Sequence, residues 1–165
     1  MMRRAHSIAL VMLLLAGAAG CGQLDLSKLE PTDIFSGYYD DGVKDGLNRL
    51  LPSISFRLKN NGAVPASEVQ LTVSFWRDGD DGELDSLEIA GIGAQEVPQG
   101  GTTAPILVRA KVGYTLDPRD ELFTHSGFRD FTARIFAKRG GKIVPIGQFR
   151  IGRSVLAHVA ASAQS

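Results

Sequence analysis

The chain has 165 residues, with 18 basic and 18 acidic side chains, so its formal net charge at pH 7 is zero. This balance gives no support for nucleic-acid binding, which favours a strongly basic surface. Hydrophobic residues make up 44% of the chain and charged residues 22%, which is typical of a folded globular protein. The length predicts one domain with short extensions.

An apolar run opens the chain and ends near its only cysteine. Arg3 and Arg4 precede residues 8–19, which carry no charge, and small residues then lead to Cys21. This run is too short to cross a hydrocarbon core of about 30 Å as a helix. Its length and flanks are typical of the apolar part of a secretory signal peptide. The pattern therefore predicts an exported protein.

The four residues Ala-Ala-Gly-Cys at 18–21 resemble the lipobox of bacterial lipoproteins. That resemblance implies that residues 1–20 are a removed signal peptide and that Cys21 carries several acyl chains. It also implies anchoring to the cell envelope without a transmembrane helix. Lipoproteins usually have leucine three places before the cysteine, where this chain has Ala18. An ordinary signal peptide, which would leave a free thiol, and an uncleaved anchor are the alternatives.

The residue after the cysteine influences whether such a lipoprotein stays in the inner membrane or moves to the outer membrane. An aspartate at this place favours inner-membrane retention in many Gram-negative bacteria, and this chain has Gly22. The resemblance therefore implies the outer membrane, with the domain on its periplasmic face.

Residues 21–39 show neither helical nor strand periodicity, and we interpret them as a tether. In the next stretch, 40–52, four apolar residues follow helical spacing. These residues are Val43, Leu47, Leu50 and Leu51. Asp40 or Asp41 is placed to cap the start of a short helix, and Pro52 to end it. We therefore predict a β-sandwich domain over 40–155 that begins with this helix, and a flexible tail over 156–165.

Strict alternation of apolar and polar residues starts after Pro52 and predicts half-buried strands. The expected inward sets are Ile54, Phe56 and Leu58; Val69, Leu71, Val73 and Phe75; and Ile106, Val108, Ala110 and Val112. Gln70, Thr72, Ser74 and Trp76 are expected to face outward. Residues 84–92 form a weaker pattern, which favours a bulge or an edge strand.

Turn signals separate these runs, and Asn60-Asn61-Gly62 is the first of them. Two alternating runs flank Gly140-Gly141, which indicates a β-hairpin. Asp117 and Pro118 favour the start of a second short helix that ends near Gly127. Short strands at this spacing predict an all-β fold, an antiparallel β-sandwich of about six or seven strands with one or two short helices.

Residues 55–84, "SFRLKNNGAVPASEVQLTVSFWRDGDDGEL", are similar to small immunoglobulin-like sandwiches of bacterial envelope proteins, including FxLYD-type domains. The resemblance covers about residues 50–110 and implies no shared catalytic residues. The cysteine and tryptophan framework of antibody domains is absent from the sequence.

Catalytic, cofactor and metal residues are not predicted. Common nucleophile, zinc and phosphate-loop motifs do not occur. Of the histidines after Cys21, His158 lies in the tail and His125 is expected at a helix end. A hydrolase with a site that no motif reveals is a third class of function. Residues 78–88 are acidic but fail the EF-hand spacing, and a solvated turn and a cation site both stay open.

Charge is unevenly distributed along the chain. Residues 21–100 hold 6 basic and 14 acidic side chains, whereas residues 101–165 hold 10 basic and 4 acidic ones. We expect the halves to pair within one fold, with an interaction surface as the alternative. Candidate partner contacts are Trp76 and the basic turn residues Lys138, Arg139 and Lys142.

The sequence therefore predicts a membrane-anchored envelope lipoprotein that acts as a non-catalytic binding or assembly module. Expected partners are the membrane, through lipidated Cys21, and envelope proteins or glycans. The alternative is an accessory subunit of an envelope transport or secretion complex.

Overall fold

Strands dominate residues 23–156, the part of the chain that the computed structural model describes. Nine strands occur there: β1 (Leu29–Lys44), β2 (Leu47–Asn60), β3 (Val69–Arg77), β4 (Glu83–Ile92), β5 (Ile106–Arg109), β6 (Tyr114–Leu116), β7 (Phe131–Arg139), β8 (Lys142–Arg150) and β9 (Val155–Leu156). Two 3-10 helices, Leu26–Lys28 and Arg119–Thr124, complete the described part of the chain.

The strands form two sheets that pack against each other. Sheet A has the order β5-β2-β1-β9, with β6 pairing to β2 beyond β5, and sheet B has the order β4-β3-β7-β8. All pairs are antiparallel except β1 with β9. The predicted all-β sandwich is confirmed. It has more strands than expected because β6 and β9 are very short and β1 was not predicted.

The core lies between the two sheets. Ile54, Phe56 and Leu58 of β2 and Leu71, Val73 and Phe75 of β3 are all fully buried. The predicted inward faces of these strands are therefore confirmed. Because alternate residues of a strand point to opposite faces, one apolar face per strand is enough to build this core.

The predicted tether over 21–39 and the predicted helix over 40–52 are wrong. Leu24, Leu26 and Leu29 are core residues, and β1 starts at Leu29. Residues 40–52 belong to β1 and β2, which pair along most of their length. The folded domain therefore begins at about residue 24 rather than at 40.

The helical spacing in this stretch arises from two strands on either side of a tight turn. Asp45 and Gly46 have φ of 52° and 81°, the left-handed conformation that a two-residue hairpin turn requires. Val43 and Leu47, beside that turn, are 66% and 41% exposed, so they form no buried helix face. Leu50 faces the core, whereas Leu51 lies on the opposite face of sheet A.

Some of the other local predictions are confirmed and others are wrong. The hairpin at Gly140-Gly141 is confirmed, and β4 is an edge strand with register shifts against β3, as expected. The second short helix is confirmed as the 3-10 helix Arg119–Thr124, but Pro118 occupies its N-cap position and no side chain caps it. Val112 is exposed because β5 ends at Arg109.

Several predictions fall outside the described residues. They concern the signal peptide, Cys21, His158 and the tail beyond Leu156. Within residues 23–156, no helix has the length and apolar character needed to span a membrane.

Candidate functional site

The sandwich has two ends with different chemistry. We call one the N-terminal end, which consists of residues 23–28, 61–68, 93–101 and 138–142. The other is the opposite end, which consists of residues 44–47, 77–83 and 117–130. β3 and β7 run from one end to the other, so Lys138 pairs with Gln70 and Phe131 with Arg77. The predicted basic turn therefore lies at the N-terminal end and the acidic turn at the opposite end.

The first 3-10 helix anchors the start of the domain. Asp25 is its N-cap, and its carboxylate accepts hydrogen bonds from the backbone N–H of Ser27 at 3.1 Å and from the Ser27 hydroxyl at 2.7 Å. These bonds lower the pKa of Asp25 below its usual value. Leu24 and Leu26 are buried beside the cap. The chain is thus fixed in place from its first described residues.

Asn60 holds the loops of this end together. Its buried amide donates to the carbonyl oxygens of Val64 at 2.9 Å and Val97 at 3.0 Å. Its side-chain oxygen accepts from the backbone N–H of Gly62 at 2.9 Å, which makes the predicted Asn-Asn-Gly turn. The Asn60 amide and its three backbone partners are all uncharged.

The β7–β8 turn brings basic side chains next to the start of the domain. Gly140 has φ of 57°, which a tight turn needs. A shallow groove of about 400 Å³ is lined by Arg139 and Lys142 of the turn together with Gln23, Leu24 and Leu26. Glu68 is the acidic residue of its lining.

The three basic residues of the turn are not equivalent. Lys138 forms an ion pair with Glu88 of β4 at 3.4 Å. Arg139 and Lys142 are exposed and form no ion pair with any residue from 23 to 156. Lys142 still interacts electrostatically with the Asp25 carboxylate and adds to the Ser27 hydrogen bonds in lowering its pKa. Both basic groups are open to solvent and can reach an external anion.

Trp76 lies away from this basic turn. It is on the outer face of sheet B, where its indole N–H donates to the hydroxyl of Ser74 at 3.0 Å. The guanidinium carbon of Arg134 lies 4.1 Å from the centre of its ring. The predicted outward direction is confirmed, but the ring is half-buried under a cation–π contact rather than free.

Sequence reasoning missed Arg134, because only the strand register reveals it. Arg134 pairs with Ser74, next to Trp76 on the same face, although the two strands are far apart in sequence. The alternation of β7 alone shows that Arg134 faces outward, but not which residue it contacts.

A buried carboxylate organises the opposite end. Asp130 is 7% exposed and forms ion pairs with the guanidinium groups of Arg150 and Arg153. The hydrogen bond from Arg153, supported by Arg150, lowers the pKa of Asp130 to about 2. No sequence pattern indicated this cluster, because the partners join only when β7 and β8 pair.

An aromatic cluster lies beneath that ion pair. Its members are Tyr38, Tyr114, Phe123, Phe128 and Phe131. The hydroxyl of Tyr114 both donates to the carbonyl oxygen and accepts from the N–H of Arg129. The Tyr38 hydroxyl is buried with no hydrogen-bond partner among the described residues, and this burial raises its pKa.

The residues considered for chemistry are spread out. His125 ends the second 3-10 helix, as predicted, and its Nδ1 accepts from the N–H of Gly127 at 3.1 Å. In the acidic segment, Asp80 pairs with Arg77, and Asp85 accepts from the backbone N–H of Lys111. Among residues 23–156, no three acidic, histidine or cysteine side chains are grouped to hold a metal ion.

The two halves of opposite charge meet within sheet B. β3 from the first half pairs with β7 from the second, and Glu88 and Asp78 form ion pairs with Lys138 and Arg150. The uneven charge along the sequence is thus interleaved in the fold, as expected.

Comparisons with known proteins do not assign the chain to a family. The chain matches no protein-family model, and a search of curated proteins finds no significant match. A functional argument therefore rests on the residues and their geometry.

Proposed function

We propose that this protein is a lipid-anchored module of the bacterial cell envelope that binds or assembles other components without catalysis. Acylated Cys21 would be its anchor, on the periplasmic face of the outer membrane. The observation that carries the proposal is the position of Leu24, a core residue only three places after the only cysteine. Cleavage before Cys21 would therefore remove none of the described core residues, so the mature chain would keep its fold.

The anchor has a simple physical basis. Each buried methylene group of an acyl chain contributes about 0.8 kcal/mol to membrane binding, so several chains hold a protein stably. Such an anchor needs no transmembrane helix. Small residues at 16–20 fit the extended backbone that a signal peptidase must bind before Cys21.

The arrangement of polar groups favours binding over catalysis. His125 is bound to a neighbouring backbone N–H, and Asp130 is held by two arginines. A nucleophile and base pair needs two side chains within hydrogen-bond reach of each other, and among residues 23–156 neither His125 nor Asp130 forms a hydrogen bond with a nucleophilic side chain.

The anchor is tested by replacing Cys21 in the native host. Cys21→Ser should abolish acylation, so that mass spectrometry of the N-terminal peptide finds no added lipid and the protein leaves the membrane fraction or stays a precursor. Ser27→Ala is a matched control outside the lipobox and should mature normally. A Cys21→Ser chain that matures and partitions like the wild type would refute the proposal.

Sorting provides a second test of the same proposal. Gly22→Asp should move the acylated protein from the outer to the inner membrane in a host that uses aspartate as its retention signal. Density-gradient separation of the two membranes measures this shift. If the protein is distributed between the two membranes as in the wild type, the proposed outer-membrane localisation is contradicted.

An accessory subunit of an envelope transport or secretion complex is the second candidate. Phe35 and Leu107 favour it, because both pair with Ser55 and so share the outer face of sheet A, where they are 69% and 46% exposed. Crosslinking and pull-down separate the candidates. A stoichiometric protein partner that is lost in Phe35→Ser favours the subunit, whereas retention by glycan or peptidoglycan favours the binding module.

A further inference from the structure

The distance between the proposed anchor and the folded core is very short. Three residues in extended conformation span at most about 11 Å, and this bounds the separation of Cys21 and Leu24. The headgroup layer of each leaflet is itself roughly 5–8 Å thick. If Cys21 is acylated, which is the proposed function on which this inference rests, the start of the folded domain at Leu24 must lie close to the membrane surface.

The β7–β8 turn is at this same end. Arg139 and Lys142 line one groove together with Gln23 and Leu24. A link of this length therefore places the turn within reach of the lipid headgroups. The turn needs no rearrangement to reach them, since it already flanks the first described residue of the chain.

The charges of the turn fit an anionic surface. Arg139 and Lys142 are exposed and form no ion pair within 4 Å in the described part of the chain, and Lys28 of the same end is also exposed. The Asp25 carboxylate accepts hydrogen bonds from Ser27 and interacts electrostatically with Lys142, and Glu68 is the acidic residue of the groove. A guanidinium group can donate two parallel hydrogen bonds to one phosphate, and an ammonium group adds a compact positive charge.

The N-terminal end also holds Asp25, Glu68 and Glu96. Four other acidic residues lie at the opposite end of the sandwich. Asp45, Asp78, Asp80 and Asp81 lie at the turns of the opposite end. The nine residues of β7 separate the two ends by about 30 Å, which is several Debye lengths at physiological salt. Repulsion between these carboxylates and a membrane is thus screened when the N-terminal end is docked.

We propose that Arg139 and Lys142 dock the β7–β8 turn onto anionic lipid headgroups. The anchor and the turn then form two contacts with one bilayer. The N-terminal end of the domain then contacts the membrane, and the opposite end, with its acidic turns, faces the periplasm. The turn is in this sense a membrane-binding site rather than a contact for a protein or a glycan.

Site-specific labels test this orientation. Gly141→Cys and Gly82→Cys are a matched pair, because a Cβ at either position meets no atom within 4 Å and neither glycine has positive φ. The sulfur of Cys21 carries lipid in the mature protein, so a fluorophore reacts at the new thiol alone. The acylated, full-length mature protein is placed in vesicles of phosphatidylcholine, with or without phosphatidylglycerol, that contain a lipid with a quencher on its headgroup.

The expected result is strong quenching at position 141 and little at 82 in vesicles with phosphatidylglycerol. Each basic residue near an anionic surface is worth about fivefold in the ratio of docked to undocked protein, so Arg139→Gln with Lys142→Gln should lower that ratio about 25-fold. Lys44→Gln with Lys111→Gln removes the same charge elsewhere and should leave the quenching unchanged.

Three outcomes would overturn the inference. Equal quenching at 141 and 82 on an acylated, membrane-bound protein would reject the orientation while the proposed function stands. Equal quenching at 141 with and without phosphatidylglycerol would reject recognition of anionic lipid. Purified protein with an unmodified Cys21 would reject this inference and the proposed function together, and mass spectrometry identifies that case.

Discussion

The two ends of the sandwich are stabilised by different kinds of polar contact. At the N-terminal end, the neutral amide of Asn60 bridges two loops through three hydrogen bonds. At the opposite end, the buried carboxylate of Asp130 joins two arginines. Neutral hydrogen bonds do not titrate, whereas a carboxylate loses its charge in acid. Stability at the two ends should therefore respond differently to pH, and this difference can be measured.

The largest effect is expected at the neutral end. Asn60→Ala leaves the carbonyl oxygens of Val64 and Val97 and the N–H of Gly62 without their partner, which should destabilise the fold by about 3 kcal/mol. Urea unfolding at neutral and acid pH should give the same loss. Asn61→Ala removes only an exposed hydrogen bond to Glu30 and should cost less than about 0.5 kcal/mol. Similar losses in both variants would contradict the role of Asn60.

Asp130→Asn should cost somewhat less and change the pH dependence. The folded-state pKa of Asp130, about 2, is below its ordinary value of 3.8. The carboxylate therefore stabilises the fold above about pH 4, and this contribution is lost as the pH falls towards 2. A shift of this size corresponds to about 2 kcal/mol at neutral pH.

Urea titrations between neutral pH and the lowest pH at which the protein stays folded measure this contribution. The gap in unfolding free energy between wild type and Asp130→Asn should shrink as the pH falls below about 4. A gap that is constant over this range would show that the carboxylate charge is not what stabilises the opposite end.

The two tyrosines of the aromatic cluster provide a sharper comparison within one end. Tyr114→Phe removes a hydroxyl that bonds to both backbone groups of Arg129 and should destabilise by about 1–2 kcal/mol. Tyr38→Phe removes a buried hydroxyl without a partner and should be neutral or stabilising by up to about 1 kcal/mol. Thermal unfolding of both variants compares them directly, and equal destabilisation would contradict this assignment.

The smallest effect is expected for the exposed acidic turn. Asp80→Asn breaks a surface ion pair with Arg77 and should change stability by less than about 0.5 kcal/mol. Millimolar calcium should leave the melting temperature of wild type unchanged. A rise in melting temperature with calcium that disappears in Asp80→Asn would show that this turn binds a cation.

In sheet B, β3, β7 and β8 could be predicted from the sequence because these strands alternate cleanly and the β7–β8 turn contains glycine. β1 could not, because register shifts occur between Thr32 and Phe35 and between Asp40 and Val43. These shifts interrupt the alternation on which strand prediction depends. Because apolar and polar residues do not alternate regularly in residues 29–39, the sequence of this segment resembles a tether.

Gly37 illustrates a constraint that sequence alone does not show. A Cβ there would lie 2.7 Å from the carbonyl oxygen of Ser154, so glycine is required where β9 approaches β1. In the sequence, Gly37 resembled one more turn residue of a flexible link.

The candidate site was predictable only in part. The basic residues around Gly140-Gly141 are adjacent in sequence and belong to one hairpin, so their grouping followed from the turn signal. The proximity of this turn to Leu24 did not follow, because it depends on how the first 3-10 helix packs near β8. Asn60 was predicted as a turn residue, but its bond to Val97 depends on a loop that returns from a distant part of the chain.

The connections within the two sheets also determine the order in which the fold can form. β1 and β2 are joined by Asp45 and Gly46, and β7 and β8 by Gly140 and Gly141, so each hairpin can form by local contacts in about 1–10 μs. The β3–β7 pairing instead joins Arg77 to Phe131 and must close a long loop first. We expect this central pairing to limit the folding rate, so that amide protons of the two hairpins gain protection from exchange before the β3 amides that bond to β7.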